Sequence, residues 1–199
     1  MARESTFTNM AVTLFVVCLV AAALLGGVYA ITKEPIELAK IAKINNAIGG
    51  VVPEFDNDPS GEKFSVEVDG KTSTIYPAKK GGEIVGYAVE ASTSKGFSGA
   101  IVAMVGFDKE GAIVGTSVIS HAETPGLGAK ISDNTQPFIM QFQGKNPADP
   151  NFKLAVKKDG GSVDAITAST ISSRAFCDLI ETAYKAFVNI NKSGEAQQN

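Results

Sequence analysis

The sequence predicts an α+β architecture: a single N-terminal transmembrane helix followed by a domain with an antiparallel sheet and flanking helices. Three observations predict it. One long uncharged apolar run lies near the start of the chain, the middle holds short strand-like segments split by turn residues, the first of which (63–69) alternates apolar and polar residues, and the C-terminal part repeats apolar residues every three to four positions. Period two marks half-buried strands, and period 3.6 marks an amphipathic helix. Successive strands with short turns pair antiparallel. The 199 residues suffice for one domain plus an anchor, and no internal repeat or second domain is visible.

Met10–Ile31 (MAVTLFVVCLVAAALLGGVYAI) holds 22 residues without a charge. At about 1.5 Å rise per residue, that length crosses a hydrocarbon core of roughly 30 Å. Tyr29 falls where an interfacial aromatic would anchor the span. The competing reading is a cleaved signal peptide, with Val28-Tyr29-Ala30 as a small-x-small site. The uninterrupted apolar length favours an uncleaved span. Pro35 then opens a helical stretch with apolar Ile36, Leu38, Ile41, Ile44 and Ile48, and Gly49-Gly50 stops it. This stretch continues the membrane helix outward as a stalk.

Asn57–Gly61 reads as a loop. Strands are expected over 63–69, 72–78, 83–91, 100–107 and 112–120. Asp69-Gly70 turns between the first two, and Asp108-Lys109-Glu110-Gly111 between the last two. Ser132–Gln143 reads as a short helix with Ser132 as its cap and Pro137 near its first turn. Phe152–Val156 reads as a short strand, and Lys157–Gly161 as a solvated polar turn. The final helix runs from Ser172 to about Ile190, with Phe176, Leu179, Ile180, Ala183, Phe187 and Ile190 on one core-facing stripe. The domain plan is therefore 1–9 as a short N-terminus, 10–31 as the span, 32–62 as stalk and linker, 63–191 as the folded domain and 192–199 as a disordered tail.

Composition narrows the function. A net charge of −3 disfavours a nucleic-acid partner. Cys18 lies in the apolar run and Cys177 on the final helix, so a disulfide between them is not expected. Without a CxxC or multi-cysteine pattern, neither an iron–sulfur cluster nor a zinc site is expected on this chain. His121 is the only histidine and reads as a structural hydrogen-bonding residue. No dinucleotide glycine fingerprint is present, so NAD is not expected to bind here, and no acid–base catalytic residue is expected.

Two segments carry the chemistry. Asp164-Ala165-Ile166-Thr167-Ala168-Ser169-Thr170 runs into Ile171-Ser172-Ser173-Arg174 at the start of the final helix. A helix N-terminus offers N–H groups without intrahelical partners and the positive end of a dipole, which suits a phosphate. A hydroxyl there can hold a phosphate or become its ester. The plain alternative is that Thr167–Ser173 only cap the helix. Upstream, His121-Ala122-Glu123-Thr124-Pro125-Gly126-Leu127-Gly128 holds a Pro-Gly pair that suits a type II turn, with glycine at the positive-φ position. Alone it is an ordinary turn.

Together these segments resemble the FMN-binding domain family, whose flavinylation motif is an Asp followed by Ser/Thr-Gly-Ala-Thr and whose second loop reads H-x-E-T-P-G-L-G. Ala168 and Ser169 replace the usual Gly and Ala. An alanine tolerates positive φ less well than glycine does. The chain is similar to two kinds of electron-transfer subunit, the Rnf-complex G subunit and the C subunit of the sodium-pumping NADH:quinone reductase. The wording after Thr170, Ile171-Ser172-Ser173-Arg174-Ala175, is closer to the Rnf protein.

The resemblance implies that residues 63–191 form the FMN-binding domain and that FMN is held as a phosphoester on Thr170, installed by a separate flavin transferase. Asp164 would help that enzyme recognise or orient the acceptor, or would simply cap a turn. The resemblance also places Glu123, Thr124 and Leu127 beside the flavin. The backbone of the Gly126–Gly128 turn offers donors to it, and Thr167 and Ser169 lie beside the phosphate end. Ser94–Gly99 is similar to a glycine-aromatic loop near the flavin, and reads equally as a flexible hairpin loop. The implied role is electron carriage between ferredoxin and NAD in an ion-translocating membrane complex with other membrane and iron–sulfur subunits. The implied location is the inner membrane, spanned once, with residues 1–9 cytoplasmic and the domain periplasmic. The charges flanking the span do not decide that orientation. A non-redox membrane-anchored assembly module of the same fold is the rival from another class.

Overall fold

The structure, a computed structural model, describes residues 6–196. Residues 1–5 of the expected N-terminal segment and 197–199 of the expected tail lie outside the described residues. The chain divides into two compact units, Met1–Lys43 and Ile44–Asn199.

One helix, α1, runs from Phe7 to Val51. Its first part, in the N-terminal unit, is apolar on every side. Leu14, Phe15, Leu24, Leu25 and Ile31 are all more than half exposed. The helix is long and apolar enough to cross a membrane. Apolar surface of this extent is stable against lipid and unfavourable against water, at about 25 cal/mol per Å². Pro35 lies inside α1, not at the head of a new helix. A proline in a helix interior removes one i→i−4 bond and costs about 3 kcal/mol. Gly49-Gly50, expected to stop the helix, are also helical. The reason lies in packing, because the next residue, Val51, is buried against the sheet.

The second unit holds five strands: β1 (Phe64–Val68), β2 (Lys71–Lys80), β3 (Glu83–Thr93), β4 (Ile101–Asp108) and β5 (Ile113–Ser120). They form one antiparallel meander in the order β1-β2-β3-β4-β5. Each expected strand is present, with no end moved by more than two residues. Pro77 is tolerated in β2 because β1 pairs only as far as Ile75.

Alternation sends side chains to two faces. Tyr76, Ala78, Ala88 and Met104 meet Ala47, Ile48, Val51 and Val52. Gly106 makes this approach close. A Cβ on Gly106 would lie 1.7 Å from the Val51 carbonyl oxygen.

The other face carries Ile75, Val89, Ala103, Val105 and Phe107 and receives the last helix, α3 (Thr170–Ala196). The expected stripe is its core face. Phe176, Leu179, Ile180, Ala183 and Phe187 are all at most 2 % exposed. Each large apolar side chain so buried contributes roughly 1.5–3 kcal/mol of transfer free energy. Both ends of α3 exceed the expectation: it starts at Thr170, and it remains helical through Ala196, where a disordered tail from 192 was expected.

Two other expectations are corrected. Ser132–Gln143 is not one helix. A 3₁₀ turn, Gly128–Ser132, precedes the single-turn helix α2 (Pro137–Met140). Asp133 accounts for the break: its carboxylate accepts the Thr135 N–H, the Thr135 hydroxyl and the Gln136 side-chain amide. An Asx turn of this kind competes with helix. Phe152–Val156 is likewise not a strand and contributes only a single parallel bridge, Val156 to Val163. Phe152 and Val156 serve as core residues from a loop.

Candidate functional site

The start of α3 is built by a tight turn. The Ser169 N–H donates to the Ile166 carbonyl at 2.9 Å. Ala168 sits within this turn in the left-handed region, with φ 60. It is the residue that stands where the motif usually has glycine. Ser173, one turn into the helix, locks the arrangement. Its hydroxyl donates to the Ser169 carbonyl at 2.9 Å and accepts the Ile166 N–H at 3.0 Å. The Ser173 N–H also donates to the Ser169 carbonyl, closing the first helical turn at 3.0 Å. The first N–H groups of α3, from Thr170 on, therefore face outward from the helix end.

The second loop forms the turn that its Pro-Gly pair demands. The Leu127 N–H donates to the Thr124 carbonyl at 3.2 Å, and Gly126 takes φ 74. This is the positive-φ position of a type II turn. His121 is a local support: its Nδ1 accepts the Glu123 N–H at 3.1 Å.

Glu123 points inward and is 4 % exposed. One carboxylate oxygen accepts the Ser98 N–H at 3.0 Å, and the other accepts the Ser172 hydroxyl.

These segments enclose a cleft of about 330 Å³. Phe97 comes from the β3–β4 loop, Glu123, Thr124, Leu127 and Gly128 from the second loop, and residues 168–172 from the turn and the head of α3. Six residues expected at the site thus meet around one space: Glu123, Thr124, Leu127, Gly128, Ser169 and Thr170. Thr167, Gly126 and Asp164 do not wall it. Thr167 is exposed on the turn. The Asp164 carboxylate is exposed and pairs with Lys157 at 2.7 Å. Gln141 grips the backbone of Asp164, accepting its N–H at 2.8 Å and donating to its carbonyl at 2.9 Å.

Five hydroxyls lie between 167 and 173, and their states differ. Ser172 and Ser173 are buried and hydrogen-bonded as described. Ser169 is 7 % exposed. Thr167 is exposed but stands outside the cleft. Thr170 is half-buried, on the cleft wall, at the first helical position. Around it, Phe97 (66 %), Leu127 (41 %) and Ile171 (47 %) present exposed apolar surface.

Charge pairs hold α3 in place. Arg174 grips Asp159 with two hydrogen bonds of 2.6 Å, and its guanidinium holds the Asp159 carboxyl below the usual range. Two turns along α3 from Thr170, Asp178 accepts Thr93 at 2.7 Å, Lys95 at 2.5 Å and Lys71 at 3.3 Å. Burial would raise that carboxyl. The hydrogen bonds from Lys95 and Thr93 and the charge of Lys71 outweigh it and hold it below the usual range. Lys95 belongs to the same loop as Phe97, so this network ties the cleft to the sheet.

A partly buried threonine at a helix N-terminus, in a cleft that also holds exposed apolar side chains, suits a group with a phosphate at one end and a flat ring at the other. The family comparison agrees: residues 96–185 match the FMN-binding domain model. Whole-chain relatives narrow the class. The chain is 34 % identical over 177 residues to the G subunit of the ion-translocating oxidoreductase complex of Haemophilus influenzae (strain PittEE), covering 86 % of this chain and 84 % of that one. It is 34 % identical to the protein of the same name from Vibrio atlanticus (strain LGP32), covering 83 % and 81 %. It is 39 % identical to that from Yersinia pestis over 67 % of each chain. The chain belongs to the family of the G subunits of ion-translocating oxidoreductase complexes.

Sequence reasoning singled out the two segments that line the cleft, the head of α3 and the second loop. It did not identify Ser98, Ser172, Ser173 and Gln141 as the residues that hold them. Their contacts join side chains to distant backbone and leave no periodic or motif signal.

Proposed function

We propose that this chain is the covalently flavinylated electron-transfer subunit of a membrane-bound, ion-translocating ferredoxin:NAD oxidoreductase, with FMN esterified to Thr170. The observation that carries this reading is the state of the Thr170 hydroxyl. Of the five hydroxyl residues from 167 to 173, Thr170 is the one that lines the cleft without being buried. In the attachment step, the Thr170 oxygen bonds to the phosphorus of an activated flavin phosphate donor. The donor's leaving group departs, and a base of the flavin transferase takes the hydroxyl proton.

The residues present fit FMN. The first-turn N–H groups of α3 would hold the phosphate, and Phe97, Leu127 and Ile171 would offer apolar contact to the ring. Bound FMN supplies one- or two-electron carriage. Of the second loop's turn, the Leu127 N–H is held by the Thr124 carbonyl and Gly126 lies off the cleft, which leaves the Gly128 backbone as the candidate donor, and the apolar rim would limit water. Ser169 and Thr167 flank the acceptor. Exposed Asp164 remains available to the transferase. The ester holds the cofactor at its site whatever its intrinsic affinity.

In this reading α1 spans the inner membrane once, residues 1–9 are cytoplasmic and the domain is periplasmic. Other membrane and iron–sulfur subunits of the complex donate and accept the electrons.

The test is a Thr170→Val variant expressed with a flavin transferase. The expected result is a folded protein whose band no longer fluoresces in a denaturing gel and whose intact mass lacks the flavin adduct. Covalent flavin retained in that variant overturns the assignment.

A further inference from the structure

We propose that Glu123 is a positioning residue: its buried carboxylate clasps the head of α3 to the Ser94–Gly99 loop, so that the Thr170 hydroxyl stands at the cleft before any cofactor arrives. The proposal rests on Thr170 being the acceptor, and it reassigns Glu123 from flavin contact to clasp. Both carboxylate oxygens are engaged within the protein. One holds the Ser98 N–H at 3.0 Å, and the other holds the Ser172 hydroxyl, two residues beyond Thr170.

Two glycines are shaped around the carboxylate. A Cβ on Gly96 would lie 2.8 Å from Glu123 Oε1, and one on Gly128 would lie 2.7 Å from Oε2 and 2.5 Å from the Ser172 hydroxyl. Three chain segments therefore converge on one acid that is 4 % exposed. A carboxylate near the first turn of a helix also meets the positive end of its dipole, which holds α3 by its N-terminus.

The clasp further selects among hydroxyls. By accepting the Ser172 hydroxyl, Glu123 holds one rival acceptor of the cleft wall in the core. Glutamine keeps an oxygen for the Ser98 N–H and an amide that can donate to the Ser172 oxygen, so it should preserve the clasp. Alanine removes both arms.

The experiment uses the full chain in detergent, purified with and without a co-expressed flavin transferase. Without the transferase, hydrogen exchange of the Ser98 amide is followed in wild type, Glu123→Ala, Glu123→Gln and Ser172→Ala. Loss of one charge-assisted hydrogen bond predicts roughly 10- to 100-fold faster exchange in Glu123→Ala, and near wild-type exchange in Glu123→Gln. With the transferase, peptide mass spectrometry locates and quantifies the flavin. Glu123→Ala should lower occupancy at Thr170 at least about tenfold under limiting transferase, and Glu123→Gln should restore it. Ser172→Ala breaks one arm only and tests the clasp should Glu123→Ala fail to fold. It should reduce occupancy while leaving Ser98 exchange near wild type. Wild-type occupancy at Thr170 in Glu123→Ala, or in Ser172→Ala where the former does not fold, overturns the proposal. Unchanged Ser98 exchange in a folded Glu123→Ala does so as well. Flavin found on another residue of the wild-type chain overturns the Thr170 reading itself, which keeps the two failures apart.

Discussion

Ala168 holds a left-handed backbone at φ 60 in the turn that leads into α3. In that region the Cβ of an L-residue crowds the following carbonyl, at roughly 1–2 kcal/mol. The Ala168→Gly substitution removes the crowding. It also frees the unfolded chain, which offsets about 0.4–1 kcal/mol of the gain. Ala168 is exposed, so no packing is lost with its methyl group. The net expectation is a stabilisation of about 0.5–1 kcal/mol. For a domain of this size that raises Tm by about 1–4 °C. Differential scanning calorimetry of the full chain in detergent, wild type against Ala168→Gly, measures it. An unchanged or lowered Tm would refute the strain argument. The turn would then owe its shape to Ser173 and the Ile166–Ser169 bond without opposition from residue 168.

Two further outcomes follow from packing and charge. Gly106→Ala should destabilise the domain by about 3 kcal/mol or more, because its Cβ would meet the Val51 carbonyl at 1.7 Å and only a shift of backbone relieves it. Gly115→Ala, whose Cβ would lie 3.3 Å from the Gly50 oxygen, should cost clearly less, and chemical denaturation in which the two cost the same would contradict the packing described. The second concerns pH. Asp159 has its carboxyl lowered by Arg174, so the pair stabilises the fold above the ordinary carboxylate pKa, and the contribution fades as pH falls through the lowered value. NMR titration should show the Asp159 carboxyl titrating below the ordinary aspartate value in wild type and moving up in Arg174→Ala. No movement would sink that account.

The strands were legible from short segments set off by turn residues: β1 alternates apolar and polar residues, β4 is a nearly continuous apolar run, and Asp69-Gly70 and Asp108–Gly111 mark turns between strands. The stripe on α3 was legible for the same periodic reason. Breakers misled the reading of α1. Gly49-Gly50 carry a local penalty of about 1 kcal/mol each, yet burial of Ala47, Ile48 and Val51 against the sheet offsets it, and local propensity does not contain that term. The Ser132–Gln143 segment erred in the opposite direction: its apolar residues fit a helix, but the Asp133 carboxylate captures Thr135 and Gln136 first. At the site, the motif residues were readable because chemistry constrains their order along the chain. The clasp was not, because Ser98, Glu123 and Ser172 are spread over 74 positions and meet only after folding.

The meander pairs each strand with the one made just before it, and α3 is the last of the described elements. Local pairings of this kind close early, and contacts between distant segments close late. The Thr170 hydroxyl therefore reaches its place only after the sheet exists and the loops from 94 to 128 have met α3. In the reading proposed above, an enzyme that attaches flavin here would be blind to half-made chains, and a flavin on Thr170 would double as a stamp of completed assembly.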